Sequence, residues 1–399
     1  MLLEIILALI LGTIAGTFTG ITPGIHINLI ALILVSLIPS FPNVQAIALV
    51  IFVVSMATTH TFIDFIPSIF LGAPEEDTFL SVLPGHQMLK QGKAYEAIIL
   101  TLYGSASALI IILLFIPIFI YIVPAFFSAI QTIFPYLLIF ISVYLIFRED
   151  NFILALTIFL MTGFLGLASF NLPIEQPLFP LLTGLFGSSA LIISIKQKTS
   201  IPYQEITPIR EIKITKKEYF KSLLGSIISA PLCSFLPGVG SGHAAIIGSE
   251  FIEQSQKGFL VLLGAINTIV TGLSFITLFS LGKTRTGAAL AVKEIIGTIS
   301  IQNLIILTCA IIISGILSFF IAIKISKTFS KYIGKINYQY LSIAILVILS
   351  AMILLLSNFL GFLTFVVATS LGIYTILSGA RRINLMGVLL IPTIISYLV

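Results

Sequence analysis

Fourteen apolar runs leave this chain almost no polar sequence from which to build a water-facing surface. They fall at about 2–22, 25–40, 46–71, 95–120, 128–147, 152–170 and 177–195, then at about 218–236, 243–256, 258–281, 301–323, 337–356, 360–378 and 384–398. Most approach the roughly 20 residues that carry a helix, at ~1.5 Å per residue, across a ~30 Å hydrocarbon core. Inside lipid each backbone N–H and C=O needs an internal partner, which for uninterrupted apolar sequence means an α-helix. A transmembrane barrel would instead alternate polar and apolar residues in segments of about ten. With 58% hydrophobic and 9% charged residues, a soluble globular domain is excluded too. The expected fold class is an all-α polytopic membrane protein, multi-pass in the cytoplasmic membrane of a prokaryote.

Cys233 and Cys309 sit in separate apolar runs and read as small hydrophobes, giving neither a disulfide framework nor a metal cluster. The first run lacks the basic start and small-residue cleavage site of a signal peptide, Glu4 standing where positive charge belongs, so it is expected in the mature protein. The net charge of +5 lies mainly in loops, where it reports topology and gives no reason to expect a nucleic-acid partner.

The runs divide seven and seven around one hydrophilic stretch, 196–221, with seven Lys/Arg against three Glu. Two landmarks recur in order. Thr22-Pro23-Gly24-Ile25-His26 matches Leu236-Pro237-Gly238-Val239-Gly240-Ser241-Gly242-His243, and the segment from Asp64 to Gly72 matches that from Ser274 to Gly282. Duplication follows, with a first membrane repeat over 1–195, a cytoplasmic linker over 196–217 and a second repeat over 218–399.

Short cytoplasmic loops carry the Lys/Arg excess. With 196–221 inside, Arg148, Lys90 and Lys93 also fall inside, as do Lys257, the Lys-rich 324–335 loop and Arg381-Arg382, while the uncharged 41–45, 121–127 and 171–176 loops fall outside. This parity works if 2–40 and 218–256 are each a helical hairpin tipped at Pro-Gly and followed by about five transmembrane helices. The two repeats then have inverted topology. Lys283, Arg285 and Lys293 alone disagree, being counted outside. The 25–40 arm spans about 24 Å at helical rise, which favours re-entrant hairpins over pairs of full spans.

Pro removes a backbone N–H and Gly relaxes the chain, so each break leaves helix-terminal polar groups unpaired in an apolar setting. Matched breaks of this kind mark the binding sites of transporters. Helices starting after Pro23-Gly24 and after Pro237-Gly238 present free N–H groups and positive dipole ends, a ready anion site. Thr22 and Ser241 add hydroxyls, Gly240 and Gly242 permit close backbone approach, and Asn28, His26 and His243 follow the breaks closely enough to contact a ligand. The competing reading of these glycines is close helix packing, and of the histidines a bond to neighbouring carbonyls. His60 and Asp64, four apart on one helix face, are the expected ion-coupling pair. The acidic Glu75-Glu76-Asp77, before a short segment ending in Pro84-Gly85-His86, stands against the basic Lys283-Thr284-Arg285 in the second repeat, and Arg285 is expected to hold a carboxylate.

Gly20-Ile21-Thr22-Pro23-Gly24-Ile25, Leu71-Gly72-Ala73-Pro74, the segment from Gly85 to Ala97 with its Gln91-Gly92, and Leu236-Pro237-Gly238-Val239-Gly240-Ser241-Gly242 carry a resemblance. Together they resemble the large membrane subunit of the tripartite tricarboxylate transporters. The resemblance implies secondary transport of organic anions, with a small membrane subunit and an extracytoplasmic binding protein as partners.

The expected function is a secondary active transporter of a small organic anion of the di- or tricarboxylate kind, coupled to H⁺ or Na⁺, with alternating access around the two hairpin tips. Its partners are then the anion, the coupling cation and membrane lipid; a homodimer is left open. The alternative is a translocase for a polyprenyl phosphate, which would use the same anion site. A channel suits broken hairpins in inverted repeats less well. An intramembrane enzyme is disfavoured, because Val239 replaces the first glycine of a Gly-x-Ser-Gly motif and no Gly-x-Gly-Asp is present. No catalytic residue, cofactor or resident metal is expected.

Overall fold

The computed structural model describes residues 2–22, 30, 44–73, 77–198, 200–236, 240–284 and 286–398. Among them there is no β-strand, and nine helices are long and apolar enough to cross a membrane. The helices are α1 (Leu2–Ile21), α2 (Ala46–Ile63), α3 (Phe65–Leu71), α4 (Val82–Lys90), α5 (Ala94–Tyr121), α6 (Val123–Phe147), α7 (Phe152–Asn171), α8 (Leu178–Leu182) and α9 (Ser189–Lys196). They continue as α10 (Lys216–Phe235), α11 (Ser241–Phe251), α12 (Gln256–Leu281), α13 (Gly287–Ile296), α14 (Ile301–Ile333), α15 (Tyr338–Leu377) and α16 (Gly387–Leu398). The protein is an all-α polytopic membrane protein.

Local chemistry sets the boundaries. α2 and α3 form one span interrupted at Asp64, because Pro67 has no N–H to give the Ile63 carbonyl. That span and α12 both end on a glycine in the left-handed conformation, Gly72 and Gly282, each with φ of 64°. A side chain with a Cβ is strained there, and the glycines let each helix stop sharply. The runs expected at 337–356 and 360–378 meet at Asn358, whose φ of 58° and ψ of −173° divide α15, while its Oδ1 accepts from the Leu360 and Gly361 amides. One boundary differs from expectation. Pro84-Gly85-His86 lies inside α4 instead of ending a segment, because Pro84 falls in the first turn, where its missing N–H has no intrahelical role.

Small residues set the packing. Gly12, Gly16 and Gly20 of α1 lie against Phe52, Met56 and Ile63 of α2, so the two helices run the same way. α10 runs parallel to α12 in the same manner, from Ser222 beside Gly258 to Ser234, whose carbonyl accepts from Thr277. α5 and α12 are also parallel and pack tightly: a methyl at Gly104 would overlap the Val261 carbonyl, and one at Gly264 the Thr101 carbonyl. α11 returns antiparallel on α10, with Gly248 against Gly225 and Ser229, and is only 11 residues, about 16 Å, long.

α2 packs mainly on α1 and α14, and α12 on α10 and α5; α7 packs on α16, and α15 on the span Leu178–Lys196. Charged loops gather on one face through Arg148–Glu250 (2.9 Å), Lys257–Glu96 (2.5 Å) and Arg381–Glu149 (2.5 Å). The segment after α9 joins that face, Gln204 bridging the Leu89 carbonyl and the Ala94 amide. These are the loops whose charge predicts a common side. The discordant lysines have a structural explanation: Lys283 lies 4.0 Å over the Phe127 ring and Lys293 donates to the Gly282 carbonyl (3.3 Å), both at the negative end of the α12 dipole.

Candidate substrate and ion site

α2–α3 and α12 are the most buried of the spans described, yet they carry a file of polar side chains where they meet. Asp64, 1% exposed, accepts a 2.7 Å hydrogen bond at Oδ2 from Asn267 Nδ2. Thr61 and Thr268 pair at 3.1 Å, and Ser318 of α14 donates to Thr59 at 2.8 Å. His60 bonds through Nδ1 to Thr19 of α1 at 3.0 Å. The two expected ion-coupling residues thus lie one turn apart and link their span to different helices. A carboxyl group buried within an apolar span is costly, which makes Asp64 a candidate functional residue.

The second candidate region is the start of α11. Ser241 is 2% exposed and its Oγ has no hydrogen-bond partner among the described residues. His243 accepts the Gly240 amide at Nδ1 (3.1 Å), and its Nε2 lies 3.3 Å from Thr393 Oγ1, so both ring nitrogens are engaged within the protein. At Gly242 the close approach that sequence reserves for a ligand is made by the Phe79 ring, 2.7 Å from where a Cβ would stand. Thr22 donates its hydroxyl back to the Phe18 carbonyl (2.8 Å). Pro23, Gly24, His26, Asn28, Glu75, Glu76, Pro237, Gly238 and Arg285 lie outside the described residues.

A cavity of about 730 Å³ runs inward from the charged face. Lys90, Arg148, Glu250 and Arg381 stand among its lining, together with Phe79, Phe186, His86 and Arg382. Phe79 and Phe186 pack with ring centroids 4.7 Å apart, so Phe79 stands between this cavity and the start of α11. The loop bearing Phe79 is tied to α3 by Ser68, which bonds the Thr78 carbonyl (3.2 Å) and Ser81 Oγ (3.0 Å). His86 Nε2 is 2.5 Å from Tyr338 Oη, and burial, aided by the charge of Lys90, pushes the ring down to about 4. Sequence reasoning passed over His86, Tyr338 and Arg382. His86 sits in a short helix with no membrane-segment signature, and Arg382 reads from sequence as a loop charge. Among the described residues no cluster of His, Cys, Asp or Glu is suited to a metal.

No solved structure matches this chain. It is 31% identical over 392 residues to an uncharacterized protein of Methanocaldococcus jannaschii, covering 94% of each chain. A family model described as "Tripartite tricarboxylate transporter TctA family" matches residues 6–387. With that match spanning nearly the whole of a polytopic helical chain, the protein belongs to the TctA family of tripartite tricarboxylate transporters, a transporter family and not an enzyme.

Proposed function

We propose that the chain is a secondary active transporter of a small organic anion of the di- or tricarboxylate kind, driven by H⁺ or Na⁺. One observation carries this reading: a cavity of about 730 Å³, within the ~300–1,000 Å³ range of ligand pockets, ends at Phe79 against the start of a helix that begins inside the protein. Ser241 and the first amides of α11 offer the anion its donors. Asp64, held by Asn267 at the contact of the two most buried spans, is the coupling residue, with His60 one turn away.

Alternating access follows from two inverted repeats, 1–195 and 218–399, joined by the 196–217 linker. The reciprocal packing of α2 with α14 and of α12 with α5 supports that symmetry, as do the matched left-handed glycines at 72 and 282. α12 leaves the charged face and α2–α3 runs towards it, which is the relation inversion requires. The short α11, antiparallel on α10, supports a re-entrant hairpin, since about 16 Å cannot cross a ~30 Å core. Parallel packing of α1 on α2 is what a hairpin preceding α2 would give. The cavity opens on the charged, cytoplasmic face, an inward-facing state. A small membrane subunit and an extracytoplasmic binding protein complete the system that the family's description implies.

The test is uptake of labelled citrate, succinate and malate by proteoliposomes under an imposed H⁺ or Na⁺ gradient. Gradient-dependent accumulation of at least one is expected. No gradient-dependent flux of any of them would sink the proposal.

A further inference from the structure

The basic residues lining the cavity are not equivalent. Arg148 and Arg381 have carboxylate partners, Glu250 and Glu149. Arg382, 9% exposed, has none among the described residues. Its neighbours are neutral: Nη2 donates to the carbonyls of Leu185 (3.0 Å) and Phe186 (2.5 Å) and to Ser189 Oγ (3.2 Å), and the guanidinium lies 5.2 Å from the Phe186 ring centroid. These acceptors all take one nitrogen. Nε is buried without a hydrogen-bond partner.

Both carbonyls belong to Thr183–Ser188, the stretch over which the span Leu178–Lys196 is π-helical. A π-stretch disturbs the regular carbonyl ladder, and such stretches collect at functional sites. Here two of its carbonyls accept from a cation. Carbonyl dipoles and a ring face orient a guanidinium, but they do not neutralise a charge taken out of water. A negatively charged ligand would do so, and Arg382 is among the residues that line the cavity.

We propose that Arg382 is the anchoring cation of the substrate site, its free Nε–H edge binding an oxyanion group of the ligand on the floor of the cavity between Phe79 and Phe186. The expected oxyanion is a carboxylate of a small polycarboxylate. A phosphate would present the same chemistry to the guanidinium, and the test separates the two. This rests on the transporter reading above and assigns it a residue in the inward-open cavity, distinct from the hairpin residues named from sequence.

The test measures citrate binding to the purified full-length protein as ligand-induced thermal stabilisation, with Arg382→Gln and Arg382→Lys alongside wild type. Arg382→Gln is expected to weaken citrate binding roughly tenfold or more, and Arg382→Lys to restore part of it, since charge returns without the planar fork. Wild-type affinity in Arg382→Gln, with wild type transporting, overturns the Arg382 assignment alone. Absence of both binding and flux in wild type overturns the transporter reading with it. Phenylglyoxal labelling of wild type, mapped by mass spectrometry, applies even if the variants do not fold. Citrate should protect Arg382 and inorganic phosphate should not; no protection, or protection only by phosphate or by vesicles containing a polyprenyl phosphate, overturns the carboxylate assignment.

Discussion

Asn267 Nδ2 donates a 2.7 Å hydrogen bond to Asp64 Oδ2, joining the two most buried of the described spans at the point where one of them is broken. A hydrogen bond to a carboxylate is worth about 1.5–3 kcal/mol, and removing its donor leaves the acceptor buried. Asn267→Ala should therefore lose about that much stability, measured by unfolding in mixed micelles. Under the proposed mechanism, Asp64→Asn should abolish gradient-driven accumulation while exchange of substrate between equal pools continues. Unchanged accumulation by Asp64→Asn would exclude this residue from coupling.

Gly264 and Gly282 test two different uses of glycine. A methyl at Gly264 would overlap the Thr101 carbonyl, so Gly264→Ala should separate α5 from α12 and cost about 1–3 kcal/mol by overpacking. Gly282 has nothing within 4 Å of an added Cβ, but its φ is 64°. Gly282→Ala should cost about 1 kcal/mol from backbone strain alone. Thermal unfolding in detergent should rank wild type above Gly282→Ala and both above Gly264→Ala.

The buried ring of His86 gives a pH dependence of defined sign. Its value is pushed down to about 4 by burial, then by the charge of Lys90 and, less, of Arg382, against some support from the Ile69 backbone. The unfolded chain keeps the ordinary value near 6.5, so between the two it binds the extra proton. The His86 contribution is complete above pH 6.5 and is lost as pH falls towards 4, by up to about 1.4 kcal/mol per pH unit. The melting temperature should fall over that window, and His86→Gln, which can still bond Tyr338, should flatten the fall. An equally steep fall in the variant would assign it to other groups.

Phe79 separates the cavity from the start of α11 by packing on Gly242. Gly242→Leu should displace the ring and abolish uptake, with the protein still inserted in the membrane and monodisperse in detergent. Wild-type uptake by this variant would remove the α11 start from the transport path. Leucine at Gly24 or Gly238 should have the same effect if the hairpin tips act as a pair.

The inverted topology proposed above makes a labelling prediction. Cysteine at Lys213 should react with a membrane-impermeant maleimide only from the cytoplasmic side, and cysteine at Lys283 only from the other. Cys233 is buried and Cys309 exposed, so Cys309→Ser should be the background for the measurement. Labelling of both sites from one side would refute the inverted topology.

Much of the fold is legible in the sequence because lipid leaves the backbone few choices. Apolar length specifies helices, and loop charge groups the segments that Arg148–Glu250, Lys257–Glu96 and Arg381–Glu149 hold on one face. Even the interruption at Asn358 falls where the apolar run pauses. Asp64 is recognisable because an acid inside an apolar run is rare for energetic reasons. What no local pattern specifies is which neutral surface meets a given charge. Arg381 and Arg382 are adjacent and chemically identical, yet one finds Glu149 at the rim and the other turns inward onto two carbonyls of a π-helical stretch almost two hundred residues earlier. Likewise the sequence marks Gly242 for a close approach, but only the packed structure brings Phe79 to it. Helix formation is a local matter of backbone pairing; the partner of each polar side chain is decided by long-range packing, and with it the shape of the cavity.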